Sequence, residues 1–534
     1  MAGFRSWPAV RRGAWIDLSD KLKIMPEKSN FNLRGKRVLI FQQRSWAKKI
    51  GHFLAKKLQA EGCRLAAITH KRTTHEFILN QAEVKYDLVI NNDEVMSRPK
   101  DYLQGDSYSL TEICQNLGID SIWPLVATMR NHVRSYKDKY YYGFKQNVSD
   151  EDILDYVMAV YKYLRLIFDQ FKPDIIISPN FVALSHLMFN FYAHRQGIKM
   201  IAIIDSKVKG ISIFSHNYLH DEGPFYQWVD VLNQNKARSE NQEKAKKYIQ
   251  EFRQAFKLPD SAEEFVPGRK ASLIKIIRRE LAPFYHVLQW YLKRPINVLE
   301  STGITPDWRP PRIILRDHYC QKKYRKFMNN YQYYPFTKIK KYVYFPLQFQ
   351  PEETIDVIAP FFSNQIETAR QVAMSLPDDY TLVVKEHPAM VGLRPPSYLE
   401  KVARTVNIKL IDYHISSEDV LKRADLVISP SSTTLAEAAF LNKPAIQLGN
   451  LGTTLKLPNV FRCTDMTQLS KKIKEVLSLD LNNPEYERRL ENFVAAIYDT
   501  GTDFNYHGLW EKGSQTDQEI LWQFYRKGFV DALS

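Results

Sequence analysis

Residues 426–449, LVISPSSTTLAEAAFLNKPAIQLG, decide the predicted fold. An apolar run, LVIS, leads into the hydroxyl-rich SPSSTT, a helical stretch follows, and a second apolar run, AIQL, comes after a lysine and a proline. Strand, helix and strand in this order form the repeating unit of a parallel, doubly wound sheet. A similar apolar strand lies upstream, in LVVKEHPAMVG (382–392), and it ends in a histidine and a proline.

The alternation of strands and helices continues on both sides of this stretch. Apolar runs that we predict to be strands lie at 35–41, 63–70, 85–91, 121–126, 173–179, 199–205, 341–347, 380–388, 408–413, 425–430 and 444–449. Amphipathic segments with helical periodicity separate them. We therefore predict an α/β protein with two Rossmann-like domains that face each other across a cleft, which is the GT-B arrangement.

Between the two predicted sheets the rhythm of strands and helices breaks. Residues 231–340 contain charged helical stretches, aromatic residues and proline punctuation, as in SLIKIIRRELAPFYHVLQWYLKR (272–294) and DWRPPR. From the N-terminus, we predict a basic lead-in (1–34), a first Rossmann-like domain (35–230), a helical basic and aromatic insertion or linker (231–340), a second Rossmann-like domain (341–490) and a C-terminal helical tail (491–534).

Composition excludes several classes of protein. A hydrophobic content of 44% with 13% aromatic residues in 534 residues is typical of a folded, multidomain chain and not of a disordered one. The four cysteines are widely spaced, which argues against a disulfide framework and against a zinc knuckle. We see neither a signal peptide nor an uncharged apolar run long enough to span a bilayer, so we expect a cytoplasmic protein.

The net charge of +16 is concentrated in one part of the chain. Residues 267–342 contain 17 Lys+Arg and 4 Asp+Glu, an excess that predicts an anionic partner. The helical stretch 272–294 also has an apolar stripe, flanked by arginines and lysines, that consists of Ile276, Ile277, Leu281, Phe284, Leu288 and Leu292. We expect 267–342 to bind an anionic membrane surface on the inner face of the cell membrane, and the alternative is that the stripe packs against the two domains.

Chemistry-bearing residues cluster at the predicted strand ends of the second domain. Open α/β sheets bind ligands at the carboxyl ends of their strands. Lys385, His387 and Pro388 follow one such strand, and Ser431, Ser432, Thr433 and Glu437 follow another. Hydroxyls at a helix start and a histidine N–H can hold a phosphate, Pro388 fixes the direction in which the histidine leaves the strand, and Glu437 can accept from ribose hydroxyls.

The segment from Tyr342 to Gly449 resembles the capsule polysaccharide biosynthesis family. FPLQFQPE (345–352), KEHP (385–388) and SPSSTTLAEAAFLNKPAIQLG (429–449) carry the resemblance. Its members are similar to β-Kdo transferases, which use CMP-Kdo and have GT-B-like folds. The resemblance implies that His387 and Ser431–Thr433 contact the phosphate and ribose of CMP, so that 341–490 is the nucleotide-sugar domain and 35–230 the acceptor domain.

Sugar transfer also needs a carboxylate, as nucleophile or as base. We rank Asp205 first because it ends the predicted strand 199–205 and thus faces the expected cleft. Alternative acids are Asp221 and Glu222, which lie on a loop, and Glu352, which follows the first strand of the second domain. His186 is a candidate contact for donor or acceptor. No Asp-x-Asp stands at a strand end, so we expect no metal and no cofactor beyond the CMP-sugar substrate.

These features lead to one functional hypothesis with several alternatives. We predict a glycosyltransferase of bacterial surface polysaccharide synthesis that moves Kdo or a related sugar from CMP to a glycan or lipid-linked acceptor. Alternatives are a CDP-alditol phosphotransferase of teichoic-acid type, a GT-B transferase with a UDP or GDP donor, and a non-catalytic protein that binds a polyanion. Signatures of RNA-binding domains are not apparent, so we expect no nucleic-acid partner.

Overall fold

The computed structural model describes residues 31–133, 146–257, 273–297, 309–504, 506 and 515–533. Most of the predicted lead-in lies outside these ranges, as do parts of the predicted insertion. Leu33–Ser534 forms one compact unit. Its strands are β1 to β13, which span Arg37–Gln43, Arg64–His70, Leu88–Asn91, Ile175–Ile177, Lys199–Asp205, Ile211–Ser215, Tyr342–Pro346, Thr381–Lys385, Ile408–Ile411, Leu426–Ser429, Ala445–Gln447, Val460–Arg462 and Thr502–Asp503.

Helices cover both faces of the sheets. Those of seven or more residues in the described ranges are α1 to α16, which span His52–Ala60, Arg72–Asn80, Leu110–Leu117, Asp150–Leu166, Leu184–Arg195, Pro224–Asn233, Gln242–Gln254, Leu273–Asn297, Pro311–Asn330, Gln365–Met374, Pro396–Ala403, Ser417–Arg423, Thr434–Phe440, Leu469–Leu477, Pro484–Thr500 and Gln515–Leu533. Serine side chains cap α3, α4 and α12 by accepting a backbone N–H of the first turn, as their sequences favour.

Two separate sheets confirm the predicted pair of Rossmann-like domains. The first has the order β13-β6-β5-β4-β1-β2-β3, in which β1 to β5 are parallel and β6 and β13 are antiparallel additions. The second has the order β12-β11-β10-β7-β8-β9 and is parallel throughout. Both therefore wind outward in two directions from their first strand, β1 or β7.

The strands are buried on both faces, which explains why their sequences are continuous apolar runs. Residues 38–42, 342–346 and 426–429 are all buried. β-branched and aromatic residues dominate these runs and fit the pleated surface of a covered sheet. One core lies around β1, β2, α4 and α5, and two others line opposite faces of the second sheet.

The end of the chain returns to the first sheet. α15 packs in one core with α6, α7 and α13, so this core joins residues from both halves of the chain. β13 then pairs with β6 at the edge of the first sheet, and Phe524 of α16 stacks on Phe214 of β6 with ring centroids 4.2 Å apart. The residues predicted as a C-terminal tail therefore pack on the first domain where the structure describes them.

Two local predictions are wrong, and proline explains both. Residues 121–126, predicted as a strand, contain a short helix at Trp123–Val126, because Pro124 cannot donate to a strand ladder but suits a first helical turn. The segment 353–376, one of the amphipathic segments between predicted strands and thus expected to be a helix, is interrupted at Pro360. Its two α-helical pieces are Glu353–Asp356 and α10, which Asn364 caps.

The carboxyl ends of the two sheets meet. The backbone N–H of Phe181, which follows β4, donates to Glu353 Oε1, which follows β7, at 3.3 Å. The Glu353 carboxylate also lies 3.5 Å from Nε2 of His220. Elsewhere along the same interface the Tyr226 hydroxyl hydrogen-bonds with Thr453 Oγ1 at 2.9 Å. These contacts fix the domains with the carboxyl ends of their strands toward each other.

Candidate functional site

Strand β7 places the two predicted motifs side by side. Val343 of β7 lies opposite Leu382 of β8 on one side and Leu426 of β10 on the other. Neighbouring strands are about 4.8 Å apart, so β8 and β10 are about 10 Å apart with β7 between them. This junction, where the chain winds in opposite directions from β7, is the point at which open α/β sheets bind ligands.

The register also brings the motif residues to the same height along the strands. Lys385 lies opposite Pro346, the last residue of β7. Counting two residues onward from the strand ends puts His387 and Ser431 level with Gln348, which lies between them in the strand order. The sheet therefore brings the KEHP end and the hydroxyl end to one edge, as the sequence predicts.

Gln348 ties the strand ends together. Its Nε2 donates to Ser429 Oγ at 2.7 Å, and its backbone N–H donates to Gln365 Oε1 at 2.6 Å. Its backbone carbonyl accepts from Arg394 Nη2 at 2.6 Å. Gln348 lies within the quoted stretch FPLQFQPE but is not among the predicted site residues.

A buried ion pair anchors the backbone of the KEHP end. Glu386 Oε1 accepts from Arg394 Nη1 at 2.6 Å and from the backbone N–H of His387 at 2.8 Å. Glu386 is 1% exposed and Arg394 2%. Burial raises the pKa of Glu386 even though the Arg394 charge opposes the rise. Glu386 is therefore a buried positioning residue for His387 and is not a solvated charge at the strand end.

His387 is oriented with one nitrogen committed to the backbone. Pro388 starts a short 3-10 turn, and the backbone N–H of Ala389 in that turn donates to His387 Nδ1 at 3.2 Å. Nδ1 is thus the acceptor, so the proton of the neutral ring is on Nε2. Burial, with the charges of Arg394 and Lys385, lowers the pKa of His387 to about 4. At neutral pH the ring is a neutral N–H donor.

In the hydroxyl cluster, Ser431 to Thr433, one side chain is buried in packing and two have exposed surface. Ser431 is fully buried and donates to the backbone carbonyl of Thr354, in the short helix Glu353–Asp356 that follows β7. Ser432 is half-buried, and its Oγ accepts from the backbone N–H of Thr434 at 3.1 Å. Thr433 is also half-buried, and its side chain does not cap α13. Ser432 and Thr433 are thus the members with exposed surface.

Lys385 and Glu437 are buried charges that influence each other. Lys385 is 4% exposed and its Nζ donates to the Ile415 carbonyl at 2.8 Å and to Ser417 Oγ at 3.1 Å. Burial lowers the pKa of Lys385 to about 8, against the attraction of Glu437. Burial likewise raises the pKa of Glu437 to about 7, against the attraction of Lys385 and Lys207. Both groups therefore titrate near neutral pH, a property that is common in functional sites.

The first domain contributes Lys207 to the same field. Lys207 follows β5 with a left-handed backbone, φ 74°, and its Nζ contacts Asp205 Oδ2 at 2.8 Å. Only 9% of its side chain is exposed. Its charge opposes the rise that burial causes in the pKa values of Glu437 and Glu352, two acids of the second domain. Lys207 is the residue that sequence reasoning missed most clearly, since a single lysine after a strand has no pattern to distinguish it.

Glu352 lies where the two domains approach. Its carboxylate accepts from Thr354 Oγ1 at 3.1 Å, and its backbone N–H donates to Asp356 Oδ2 at 3.2 Å. The side chain is exposed, and partial desolvation by the surrounding protein raises its pKa, opposed by the hydrogen bond from Thr354 and the charge of Lys207. A solvent-accessible acid with a raised pKa suits proton transfer.

His186 does not reach this group. It is 0% exposed, and its ring lies 4.6 Å from the Phe41 ring and 5.0 Å from the His70 ring, centroid to centroid. Burial moves the pKa of His186 well below its ordinary value, so the ring is neutral. A side chain without exposed surface offers no contact to a donor or acceptor in this conformation.

Asp221 lies at the interface between the domains, and Glu222 lies at the amino end of β5. Asp221 accepts from Asn217 Nδ2 at 2.5 Å, and its loop packs so closely on Gly452 that a Cβ at 452 would collide with it. Glu222 lies 3.1 Å from His194 Nε2 and 3.7 Å from Lys199 Nζ, at the amino end of β5. The structure thus places Glu222 at the opposite end of that strand from Asp205.

The charged groups do not form a metal site. Among the described residues, no group of three or more His, Cys, Asp or Glu side chains is placed to hold a metal ion. The site instead offers neutral donors, two lysines (Lys385 and Lys207) and three acids (Asp205, Glu352 and Glu437). This set is suited to binding a phosphate and hydroxyl groups.

Comparisons with known proteins show only distant likenesses. No family model matches the sequence, and no curated protein matches it. Similar solved structures include the β-Kdo 2,7-transferase KpsC of Thermosulfurimonas dismutans (13% identity, 64% of this chain, 79% of the other, TM-score 0.31). Others are a UDP-GlcNAc 2-epimerase of Methanocaldococcus jannaschii (12%, 92% and 100%, 0.24) and a glycosyltransferase of Rickettsia africae (10%, 91% and 99%, 0.24). At these TM-scores the fold rests on the strand order of the chain itself.

Proposed function

We propose that this protein is a glycosyltransferase that binds a nucleotide sugar at the junction of β7, β8 and β10. The observation that carries the proposal is the shared strand-end level of His387 and the hydroxyl cluster, with Gln348 between them. A neutral Nε2–H donor beside exposed hydroxyls can bind a nucleotide phosphate and stabilise it as the leaving group. Glu437 is one helical turn beyond the hydroxyls and can accept from ribose hydroxyls.

The proposed donor is CMP-Kdo or a related CMP-sugar, and the proposed acceptor is a glycan or a lipid-linked glycan of the bacterial surface. Support for this donor comes from the sequence resemblance of 342–449, carried by KEHP and SPSST. A single phosphate suits the short distance, about 10 Å, between the two strand ends. UDP, GDP and CDP-alditol donors are the alternatives that the experiment must separate.

We assign different roles to the two acids beside Lys207. Asp205 is in contact with Lys207 and therefore acts as its positioning residue, holding the cation toward the second domain. Glu352 reaches solvent and has a raised pKa, so it is the better candidate for the base that takes the proton of the acceptor hydroxyl. Lys207 then offsets charge on the departing phosphate.

A thermal-shift panel of CMP, CDP, UDP and GDP tests the donor site. CMP should give the largest stabilisation, and His387→Ala should abolish it. His414→Ala is the matched control, because His414 is an exposed histidine near the end of β9 that contacts Asp412. A larger stabilisation by UDP or GDP would identify that nucleotide, and not CMP, as part of the donor. The absence of any shift would favour the alternative of a non-catalytic protein that binds a polyanion.

The base is tested separately from binding. Glu352→Gln should retain the CMP shift and lose most release of CMP from a CMP-sugar in the presence of acceptor, by a factor of about 100 or more. Asp205→Asn should weaken turnover less and should also weaken donor binding, because Lys207 loses its partner. Equal turnover in Glu352→Gln and the unsubstituted protein would exclude Glu352 as base.

A further inference from the structure

A long stripe of apolar side chains on α8 is exposed to solvent. The nine residues form one face of the helix over its whole described length: Leu273, Ile274, Ile277, Leu281, Phe284, Tyr285, Leu288, Tyr291 and Leu292, each between 55% and 77% exposed. At 100° per residue they fall within about a third of the helix circumference. Among the described residues nothing covers this face, so it does not pack against the two domains.

The other side of α8 attaches it to the protein. Pro283 is buried, and Glu280 contacts Lys322 and lies 3.6 Å from His318 Nε2, both residues of α9. Arg278 is exposed next to the apolar face, and α9 adds exposed Leu315 and Tyr319 near the contact with Glu280. The helix therefore has one face anchored to the protein, one apolar face and the exposed cation Arg278 beside it.

The α8–α9 pair contacts helices of both domains. α8 touches α2, which follows β2 of the first sheet, and α9 touches α11, which follows the KEHP turn. The backbone of Gln321 on α9 comes so close to Gly392 that a Cβ there would lie 2.9 Å from its carbonyl oxygen. Gly392 itself has a left-handed φ of 87° and follows His387 by five residues. A surface that contacts α8 would thus lie near helices of both domains, and α9 brings it close to the segment that follows His387.

We propose that the α8 face docks on an anionic lipid bilayer and holds the cleft opening at the membrane surface. Large apolar and aromatic side chains with cations at their flank are the composition of helices that lie in the interface. The charge of 267–342, 17 Lys+Arg against 4 Asp+Glu, complements anionic headgroups. No helix among the described residues is long and apolar enough to cross the bilayer, so contact is from one side.

The docking surface gives the acceptor its class. A lipid-borne glycan at the bilayer surface can enter a cleft whose rim lies there, whereas a free oligosaccharide needs no such contact. This extension to the acceptor rests on the proposed transferase function, but docking itself does not. Binding to vesicles is therefore measured independently of turnover.

Flotation with vesicles tests the docking. The full chain should float with vesicles of equimolar phosphatidylglycerol and phosphatidylcholine, less with phosphatidylcholine alone, and less again at high salt. Phe284→Ser combined with Leu288→Ser should lower binding by more than about tenfold, and Arg278→Glu should lower it by about fivefold or more. Binding of the double variant equal to that of the unsubstituted protein would overturn the proposal.

The matched control removes exposed apolar residues elsewhere. Phe361 and Val406 are 82% and 83% exposed on the second domain, so Phe361→Ser combined with Val406→Ser should float normally. The α8 variant should keep its CMP shift and His387→Ala should keep its flotation, which separates failure of docking from failure of the proposed function. Concentration-dependent dimerisation that the α8 variant abolishes, without vesicle binding, would assign the face to a second copy of the chain.

Discussion

Glu437→Gln should stabilise the protein at alkaline pH, because the fold keeps this carboxylate where ionisation is costly. Burial raises the pKa of Glu437 from 4.5 to about 7. This difference corresponds to about 3 kcal/mol of unfolding free energy. The cost is absent below pH 4.5, where the acid is neutral in both states, and it is complete above about pH 7.

The gain on substitution is smaller than the full cost. Glu437 attracts Lys385, whose pKa burial lowers to about 8, and a glutamine removes that attraction. We therefore expect Glu437→Gln to raise the free energy of unfolding by about 1 to 3 kcal/mol at pH ~8 and by less than about 1 kcal/mol at pH ~5. Urea-induced unfolding at both pH values measures this difference.

Glu367 provides a control of opposite sign. It is paired with Arg370 on the surface, and hydrogen bonds from Arg370 and Gln371 lower its pKa to about 2. Glu367→Gln should therefore cost a few tenths of a kcal/mol at pH ~8, about what an exposed pair contributes. The reasoning would be refuted if Glu437→Gln were less stable than the unsubstituted protein at pH ~8 and the loss of unfolding free energy were the same at pH ~5.

Two further perturbations test the neighbouring groups. Glu386→Gln should lower the free energy of unfolding in urea by about 3 kcal/mol or more, because Arg394 stays buried without its charge partner. Glu386→Leu combined with Arg394→Met should recover most of that loss. A loss below about 1 kcal/mol for Glu386→Gln alone would contradict a buried ion pair at this position. The pKa of His387, lowered from 6.5 to about 4, keeps the ring neutral from pH ~5 to ~8, so its ring proton resonances should not titrate across that range. A titration of these resonances by nuclear magnetic resonance, with a midpoint near 6.5, would contradict the neutral donor.

The fold could be predicted because its strands are buried on both faces. A run such as LVIS or KMIAIID is apolar throughout and starts or ends within a residue or two of the observed strand. β6 and β13 escaped prediction because they are antiparallel additions at a sheet edge, and β13 has only two residues. Their position depends on pairing between residues 211–215 and 502–503, which are far apart in sequence.

The site could be predicted only where it is local in sequence. KEHP and SPSST each combine a strand end with polar residues, so position along the chain was enough to place them at one edge. Arg394 and Lys207 depend on contacts that no local pattern encodes: one crosses the turn after His387, and the other acts across the domain interface. The apolar stripe of α8 was predicted from composition, but its exposure required the structure.

A crystal structure with CMP bound would test the central claim most directly. The account predicts a phosphate oxygen within hydrogen-bond distance of His387 Nε2, with the Ser432 or Thr433 hydroxyl on the same phosphate and the ribose toward Glu437. A nucleotide bound elsewhere, or one that contacts the hydroxyl cluster with His387 Nε2 directed away from it, would contradict the account.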